Sequence, residues 1–218
     1  MIVLGLTGSI GMGKTTIATM MKSMHIPVHD SDAAVHHLLG AGGEALPAIS
    51  ALFPAYKYPQ IYDRKKRMIV RKELGALIFN DNEKKKQLEG ILHPLVHKSQ
   101  NAFIRSCVNK GLDFVCLDIP LLFETGAQER VDYTLVVSAP YFLQRQRVLD
   151  RPHMNSDKFH AILASQMPDQ EKCARADYII KTGLGRAHTM KALKSALIDI
   201  KKREDSSTKD YLVKRRIA

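Results

Sequence analysis

A glycine-rich segment close to the start of the chain carries the residue types that hold a polyphosphate. Gly8 to Thr15 fits the complete pattern of glycine, four residues, glycine, lysine and threonine. Its glycines let the backbone turn successive N–H groups towards one anion, and the positive end of a following helix attracts the same anion. Lys14 is expected to reach the β- and γ-phosphates, and the Thr15 hydroxyl is expected to face Mg²⁺. The nucleotide-binding residues predicted for this loop are Gly11, Met12, Gly13, Lys14, Thr15 and Thr16.

The segments on either side of this loop have the order that such a site requires. Ile2 to Leu6 is a short apolar run, which is typical of a buried parallel strand. Lys14 to Met24 has apolar residues at helical spacing. A strand, a glycine turn and a helix in succession favour a phosphate-binding loop over an ordinary strand-to-helix turn with a surface lysine.

Two carboxylates follow the second predicted strand. Asp30 and Asp32 come directly after the run His25 to His29. Because ligands bind beyond the carboxyl ends of parallel strands, both carboxylates are expected near the phosphate site. Asp30 or Ser31 can instead cap the next helix, which is predicted for Asp32 to Leu39.

Three later apolar runs complete a predicted sheet of five strands. They are Phe114 to Asp118, Tyr133 to Ser138 and Tyr178 to Lys181. The first of them ends on a carboxylate, Asp118, which in that place can hold Mg²⁺ through water. Strands that alternate with helices in this way predict a three-layer α/β domain.

The region between the second and third strands is predicted to be a helical insertion. From Glu44 to Asn109 no convincing strand appears. His93-Pro94 is expected to interrupt the last helix, because proline lacks an N–H donor and disfavours helix at the preceding residue. The predicted helices are Ala45 to Leu52, Met68 to Phe79 and Glu83 to Val108.

This insertion also holds much of the positive charge of the chain. Residues 57 to 110 include 13 basic and 5 acidic side chains, a surplus of +8. Most of the basic side chains are expected on solvated faces, and a few are candidates for binding substrate phosphates. They cluster at Arg64 to Arg67, Arg71-Lys72 and Lys84 to Lys86.

Arginines between the fourth and fifth strands are candidates for a lid. Arg147 and Arg151 lie in the run Gln144 to Pro152. Arginine offers planar, paired donors to a phosphoryl group in transfer, but an exposed basic helix explains the same spacing equally well. A closing amphipathic helix is predicted for Ala187 to Lys202, followed by a loosely docked basic tail, Arg203 to Ala218.

The amino-acid composition limits the classes of protein to which this chain can belong. The net charge of +11 over 218 residues suits anionic partners without choosing among them. The three cysteines lack metal-ligand spacing, and their odd number argues against a disulfide framework, so reduced thiols in a cytoplasmic protein are expected. A membrane-spanning run of about 18 apolar residues does not occur, and the apolar N-terminus lacks the basic lead of a signal peptide.

The kind of phosphate-loop protein can be narrowed further. A guanine-reading Asn-Lys-x-Asp is not matched, since Asn109 to Asp113 misses it by one residue and precedes a strand. Motor and transport ATPases usually have a larger core. The acidic pair, the helical insertion and the later arginines favour a kinase that acts on a small metabolite.

Five segments in order resemble the dephospho-coenzyme A kinase family. The phosphate loop is shared with many families, whereas the His-Pro segment and the Asp-x-Pro-Leu-Leu-Phe-Glu segment are more discriminating together. The resemblance covers about residues 1 to 200. Its segments are Gly5 to Thr15, His29 to Ala33, Leu88 to Pro94, Asp118 to Glu124, and Arg147 and Arg151 followed by Ala176 to Ile180.

The resemblance implies a fold and a reaction. The implied fold is a three-layer α/β P-loop kinase core with a five-stranded parallel sheet, made by residues 1–32 and 110–200. Residues 33–109 would form a helical coenzyme-A-binding domain, residues 141–165 a small lid, and residues 203–218 the basic tail. The implied reaction transfers a phosphoryl group from ATP, with Mg²⁺, to the ribose 3′-hydroxyl of dephospho-coenzyme A. The expected protein is a cytoplasmic monomer without a membrane or nucleic-acid partner.

The resemblance also assigns roles to residues. Asp32 would be the base that deprotonates the 3′-hydroxyl, and a carboxylate after a strand can accept that proton. Lys14 and Arg147 would be catalytic, and Arg151 would contact ATP. The implied substrate contacts are Arg71, His93 and Leu121, although a core histidine that breaks a helix also explains His93.

One departure and two alternative functions remain open. The family usually has Asn-x-Gly after the last strand, near adenine, where this chain has Lys181-Thr182-Gly183. The adenine contacts are therefore not predicted. A kinase of another nucleoside or nucleotide fits the same loop. A nucleic-acid-binding ATPase fits the charge, but only 6% of the residues are aromatic and no base-stacking motif appears.

Overall fold

The computed structural model describes residues 1–63, 65, 67–79 and 81–217, with side chains described up to residue 206. Arg64 and Lys66 of the predicted basic cluster, Asn80 of a predicted break between helices, and the side chains of most of the basic tail lie outside the described residues.

Strands and helices alternate along most of the chain. The strands are β1 (Ile2–Thr7), β2 (Val28–Asp30), β3 (Tyr62–Asp63), β4 (Met68–Ile69), β5 (Phe114–Asp118), β6 (Tyr133–Ser138) and β7 (Tyr178–Lys181). The helices are α1 (Lys14–Ser23), α2 (Ser31–Leu39), α3 (Leu46–Leu52), α4 (Arg71–Ile78), α5 (Asn82–Asn109), α6 (Tyr141–Leu149), α7 (Ser156–Ala164), α8 (Asp169–Arg175) and α9 (Arg186–Ile217).

The main sheet is five-stranded and parallel, with the order β2-β5-β1-β6-β7. In its register Leu6 is opposite Leu135, and Val136 is opposite Ile179. Leu6, Leu135 and Val136 are fully buried, as expected for parallel strands covered on both faces. The predicted α/β fold with a parallel sheet is confirmed.

The chain divides into two compact units. One, the helical unit, comprises His29–Leu117 with Met1, and the other, the phosphate-loop unit, comprises Ile2–Val28 and the chain from Asp118 onward. The helical unit has its own core between α2, α3, α4 and α5. The fully buried members of this core include Ala45, Ile49, Phe53, Ile61 and Ile69.

The predicted break at His93-Pro94 is wrong, because α5 runs without interruption from Asn82 to Asn109 with Pro94 inside it. Leu88, Leu92 and Val96 lie one helical turn apart and are all buried. Leu88 and Leu92 before the proline belong to the core of the helical unit, and Leu95 after it packs against that core, which offsets the hydrogen bond that proline cannot make.

A second correction concerns the start of α4. The sequence indicated no strand between residues 44 and 109 and a helix from Met68, but Met68–Ile69 pairs antiparallel with Tyr62–Asp63, and the helix begins at Arg71. Ile69 is fully buried in the core of the helical unit, and the Val70 N–H donates to the Ile61 carbonyl at 2.7 Å. Strands of two residues are too short for periodicity to reveal.

The closing helix is longer than predicted, since α9 continues past Lys202 to Ile217. Its continuation is held by side chains just beyond the predicted end. Arg203 pairs with Asp199 at 2.9 Å, and the Tyr133 hydroxyl donates to Glu204 at 2.9 Å. Among the described residues, every helix is too short or too polar to cross a membrane.

Candidate functional site

The phosphate loop joins β1 to α1 through glycines in the left-handed region. Gly11 has φ +78° and Gly13 has φ +96°, and Gly13 is the residue that precedes α1. A Cβ atom on Gly11 would lie 2.6 Å from the Val148 side chain and 2.8 Å from the Gln144 carbonyl. Both the backbone conformation and the lack of space therefore require glycine at Gly11.

Lys14 points from the first turn of α1 to the end of β5. Its ammonium group donates a hydrogen bond to the Asp118 carboxylate. Only 20% of the Lys14 side chain and 8% of the Asp118 side chain are exposed. The lysine that the motif assigns to the phosphates is thus held at the loop by the carboxylate of the strand end.

The chain that follows β5 is fixed to β1 by two hydrogen bonds. The Ile119 N–H donates to the Leu6 carbonyl at 2.9 Å, and the Thr7 hydroxyl donates to the Pro120 carbonyl at 3.0 Å. Leu121 comes next and is 39% exposed. These bonds place an exposed apolar side chain directly after the strand that carries Asp118.

An ion pair between a buried lysine and a partly exposed glutamate holds the same segment to α8. Lys172 is fully buried, and its ammonium group lies 2.8 Å from Glu124 and 3.2 Å from the Pro120 carbonyl. Glu124 also accepts the Met167 N–H at 2.9 Å. Burial raises the pKa of the Glu124 carboxyl, but the hydrogen bonds from Lys172 and Met167 outweigh burial and set the pKa below its ordinary value.

A cleft of about 530 Å³ opens beside the phosphate loop. Glycine, threonine and arginine dominate its wall, so it is polar and positively charged, as a nucleotide site requires. The lining includes Thr15 and Thr16 of α1, Arg147, Arg151 and Arg186, and Thr182 and Thr189.

Arg147 is held in this cleft by three contacts to the protein. Nη1 donates to the Thr182 hydroxyl at 3.0 Å and to the Gly11 carbonyl at 3.4 Å, and Nη2 donates to the Thr182 carbonyl at 2.9 Å. Arg151, one turn further along, is exposed and lines the same cleft. The two arginines therefore differ, since one is anchored and the other faces solvent.

In the helical unit, the polar residues at the start of α2 make different contacts. The Asp30 carboxylate accepts the Ala33 N–H at 2.9 Å and is the N-cap. The hydroxyl of Ser31, which is buried, accepts a hydrogen bond from Gln100 at 3.0 Å. Asp32 is exposed. The open question of which residue caps the helix is settled for Asp30, and this leaves the Asp32 carboxylate facing solvent.

Arg71 lies beside the same helix. Its Nη1 is 3.3 Å from Nδ1 of His36, which stands one turn after Asp32 on α2. Residues four apart on a helix share a face, so this contact brings Arg71 to the face that carries Asp32. A basic side chain therefore lies on the same side of α2 as the Asp32 carboxylate.

His93 lies on the exposed side of α5. Its ring stacks near that of His97, with 6.3 Å between the centroids. The alternative of a core histidine that breaks the helix is wrong on both counts, because His93 is exposed and the helix is continuous.

The environment of His29 should make the stability of the fold depend on pH. Its Nε2 is 2.9 Å from the Ser99 hydroxyl, and its ring packs on Phe103 at 5.3 Å. Its Nδ1 is buried and has no hydrogen-bond partner within the part of the chain that the structure describes. Burial lowers the pKa of His29, against the raising effect of Asp30. Below the ordinary pKa of about 6.5, the unfolded chain then binds a proton that the folded chain resists.

We therefore expect the contribution of neutral His29 to the free energy of unfolding to be fully present above pH 6.5. That contribution should decrease as the pH falls towards the lowered pKa. Urea unfolding at pH 7.5 and 5.5 measures it. His29→Gln should reduce the difference between the two values, whereas His37→Gln, an exposed residue on α2, should leave it unchanged. Equal differences in wild type and His29→Gln would contradict the expectation.

Comparison with known proteins assigns the chain to a family. A family model described as dephospho-CoA kinase matches residues 2–185. The chain belongs to the dephospho-CoA kinase family. A dephospho-CoA kinase from Novosphingobium aromaticivorans is 49% identical over 187 residues, which cover 86% of this chain and 89% of the relative. One from Mesorhizobium japonicum is 49% identical over 199 residues, which cover 91% and 96%.

Solved structures agree with this family. A dephospho-CoA kinase from Campylobacter jejuni superimposes with a TM-score of 0.66 at 28% identity, over 93% of this chain and 98% of that one. A crystal structure of a protein from Thermus thermophilus gives a TM-score of 0.77 at 30% identity, over 91% and 96%. The family predicted from the five ordered segments is confirmed.

In this member of the dephospho-CoA kinase family, the predicted site residues fall into two sets. The phosphate-loop unit brings together the loop residues Gly11 to Thr16, Asp118, Arg147 and Arg151, and Leu121 follows Asp118 along the chain. The helical unit carries Asp32, Arg71 and His93, and Arg71 of α4 contacts His36 on the face of α2 that carries Asp32. The roles assigned to these residues stay predictions.

Sequence reasoning missed several residues of these sites. Arg186 and Thr189 line the cleft beside the phosphate loop, and the glycines that precede Arg186 at the start of α9 were a usable signal for a ligand-facing helix end. Lys172 had no such signal, because a lysine in a polar helix is indistinguishable from a surface lysine until its burial is known.

Proposed function

We propose that this chain transfers the γ-phosphoryl group of ATP to the 3′-hydroxyl of dephospho-coenzyme A, giving coenzyme A and ADP. The observation that carries the proposal is the family match over residues 2–185, which extends through both units and beyond the phosphate loop. A match limited to the loop would support only a polyphosphate site, since that loop occurs in many families.

The phosphate-loop unit supplies the means to bind ATP. The N–H groups of Gly11 to Thr16 would surround the β-phosphate, and Lys14 would share its ammonium group between Asp118 and the phosphates. Arg147 and Arg151 would place positive charge along the cleft that the nucleotide enters. A bound triphosphate would thereby be neutralised at several points and its γ-phosphorus oriented for attack.

The residues at the loop fit a magnesium ion that the nucleotide brings. Thr15 offers a hydroxyl and Asp118 a carboxylate, which are the hard oxygen ligands that Mg²⁺ prefers. The described residues include no group of three or more histidine, cysteine or acidic side chains able to hold a metal alone. This agrees with an ion held mainly by phosphate oxygens and water. When bound, Mg²⁺ would neutralise charge that develops on the β- and γ-phosphates.

Asp32 is the proposed general base. Its carboxylate is free of the capping role, which Asp30 fills, and it is exposed to an incoming substrate. As the 3′-oxygen forms its bond to the γ-phosphorus, the hydroxyl proton would pass to Asp32 and the bond to the β-phosphate oxygen would break. Arg71, His93 and Leu121 are proposed contacts of the coenzyme, with Arg71 supplying positive charge for its phosphates.

The remaining assignments are proposed from the sequence. They are a core of residues 1–32 and 110–200, a coenzyme-binding domain of residues 33–109, a lid of residues 141–165, and a monomeric enzyme in the cytoplasm. The basic composition of the insertion supports its role with a phosphorylated substrate, since residues 57 to 110 carry a surplus of +8.

A direct assay tests the reaction. Purified protein is incubated with ATP, Mg²⁺ and dephospho-coenzyme A, and mass spectrometry follows the acceptor. We expect dephospho-coenzyme A to gain one phosphate at the 3′ position, and coenzyme A, whose 3′ position is already phosphorylated, to gain none. An unchanged acceptor beside an active control enzyme would refute the function, and phosphorylation of a nucleoside in a parallel panel instead would assign another kinase activity.

A further inference from the structure

Thr182 occupies a position that joins several parts of the nucleotide site. It follows the last residue of β7, and only 8% of it is exposed although it lines the nucleotide cleft. Its N–H donates to the Ser138 carbonyl at 2.9 Å, which extends the pairing of β7 with β6. The strand therefore fixes the backbone of Thr182 before the side chain makes any contact.

The hydroxyl of Thr182 is used in both directions. It donates to the Met12 carbonyl in the phosphate loop at 2.6 Å and accepts a hydrogen bond from Nη1 of Arg147 at 3.0 Å. A hydroxyl has one donor hydrogen and two lone pairs, so both bonds form together. The Thr182 carbonyl accepts from Nη2 of the same guanidinium at 2.9 Å. Thr182 thus binds both terminal nitrogens of the Arg147 guanidinium group and one carbonyl of the loop.

The contacts leave little freedom around Thr182. A Cβ atom on Gly13 would lie 3.1 Å from the Thr182 hydroxyl, so the loop passes directly against this side chain. Arg147 has a further contact with the Gly11 carbonyl at 3.4 Å. The loop carbonyls of Gly11 and Met12 are therefore both tied to the Thr182–Arg147 pair.

We propose that Thr182 is a positioning residue for the nucleotide. Its hydroxyl sets the conformation of the phosphate loop at Met12 and the orientation of the Arg147 guanidinium in the cleft. A loop carbonyl that is bound to Thr182 cannot turn towards the phosphates, where it would repel them. The proposal rests on the proposed function only in taking ATP as the nucleotide, and it assigns no contact between Thr182 and the reacting atoms.

Valine is the sharpest substitution, because it keeps the branched shape and removes only the hydroxyl. Thr182→Val leaves the buried Met12 carbonyl without its donor and leaves Arg147 with one bond to Thr182. We expect the dissociation constant of ATP to rise about tenfold, which corresponds to about 1.4 kcal/mol. Thr182→Ser keeps the hydroxyl and should bring the dissociation constant back to within about threefold of wild type.

Calorimetric titration with ATP measures the effect, and thermal unfolding is recorded for every variant. Thr134→Val is the matched control, since Thr134 is a buried threonine whose hydroxyl bonds Asp177 at 2.7 Å away from the cleft. It should lower the unfolding temperature without changing ATP affinity. In steady-state kinetics, Thr182→Val should raise KM for ATP with less than a twofold change in KM for dephospho-coenzyme A.

Equal ATP affinity in wild type and Thr182→Val would overturn the proposal, as would a loss in Thr182→Ser as large as that in Thr182→Val. If Thr182→Val does not fold, Thr182→Ala, which also removes the hydroxyl, is combined with Arg147→Lys, which keeps the charge but lacks the paired donors. The two effects on ATP affinity should then combine less than additively, and full additivity would refute the coupling. A wild type that binds ATP but leaves dephospho-coenzyme A unchanged would refute the proposed function alone.

Discussion

Replacing Asp32 with asparagine is expected to lower turnover by at least ~100-fold while the affinity for ATP stays unchanged. Asparagine has nearly the same size as aspartate but cannot accept the proton of the attacking hydroxyl. The helix should be unaffected, because its N-cap is Asp30, which accepts the Ala33 N–H. The loss should therefore appear in kcat, measured with saturating ATP and dephospho-coenzyme A, and not in ATP binding measured by calorimetry.

The control for this substitution is Asp81→Asn. Asp81 caps α5 in the same helical unit and has no assigned part in the reaction, so the same chemical change should leave turnover within about twofold. Two results would count against Asp32 as the base. One is an unchanged turnover in Asp32→Asn, and the other is a loss explained by weaker ATP binding.

Replacing Lys172 with methionine is expected to destabilise the fold by about 3–5 kcal/mol. The ammonium group of Lys172 is fully buried and lies 2.8 Å from Glu124, whose side chain is 18% exposed. Removing the cation leaves the Glu124 carboxylate without its ion-pair partner, with the Met167 N–H still bound to it, and removes a donor from the Pro120 carbonyl. Urea unfolding gives the free energy directly. The double variant Lys172→Met with Glu124→Gln should recover part of the loss, because it removes the unpaired charge.

A second ion pair on α8 provides the control. Arg175 pairs with Glu171 four residues earlier, and both side chains are about half exposed. Arg175→Met should cost only about 0.3–0.5 kcal/mol, as is usual for exposed pairs on a helix. Equal losses at Lys172 and Arg175 would show that burial does not determine the strength of the pair.

The Glu124 carboxyl adds a pH dependence with a defined sign. Its folded pKa lies below its ordinary value, so its contribution to stability is complete above the unfolded pKa and is lost as the pH falls through the folded pKa. The Glu124→Gln variant should lack this part of the acid destabilisation. A curve of stability against pH that is parallel to that of wild type below pH 5 would contradict the assignment.

Local patterns were sufficient for much of the fold. The phosphate loop, the strands of the parallel sheet and most helices are encoded in short windows of sequence, where apolar period, glycine placement and strand-end carboxylates act over a few residues. Errors arose where packing or strand pairing overrides a local preference. Pro94 stays inside α5 because Leu88, Leu92 and Val96 continue one buried face on both sides of it. The strand at Met68–Ile69 exists because its residues pair with Tyr62–Asp63.

The sequence by itself predicted a polyphosphate site at Gly8 to Thr15, and it determined that the chain is a member of its family. Only the tertiary structure decided how the neighbouring side chains are used. It paired Lys14 with Asp118, made Asp30 the cap and left Asp32 exposed, and buried Lys172 beside Glu124. It also placed Thr182 between Met12 and Arg147, residues that are 170 and 35 positions away along the chain. Contacts over such separations depend on the packing of strands and helices, which no local pattern of residue types records.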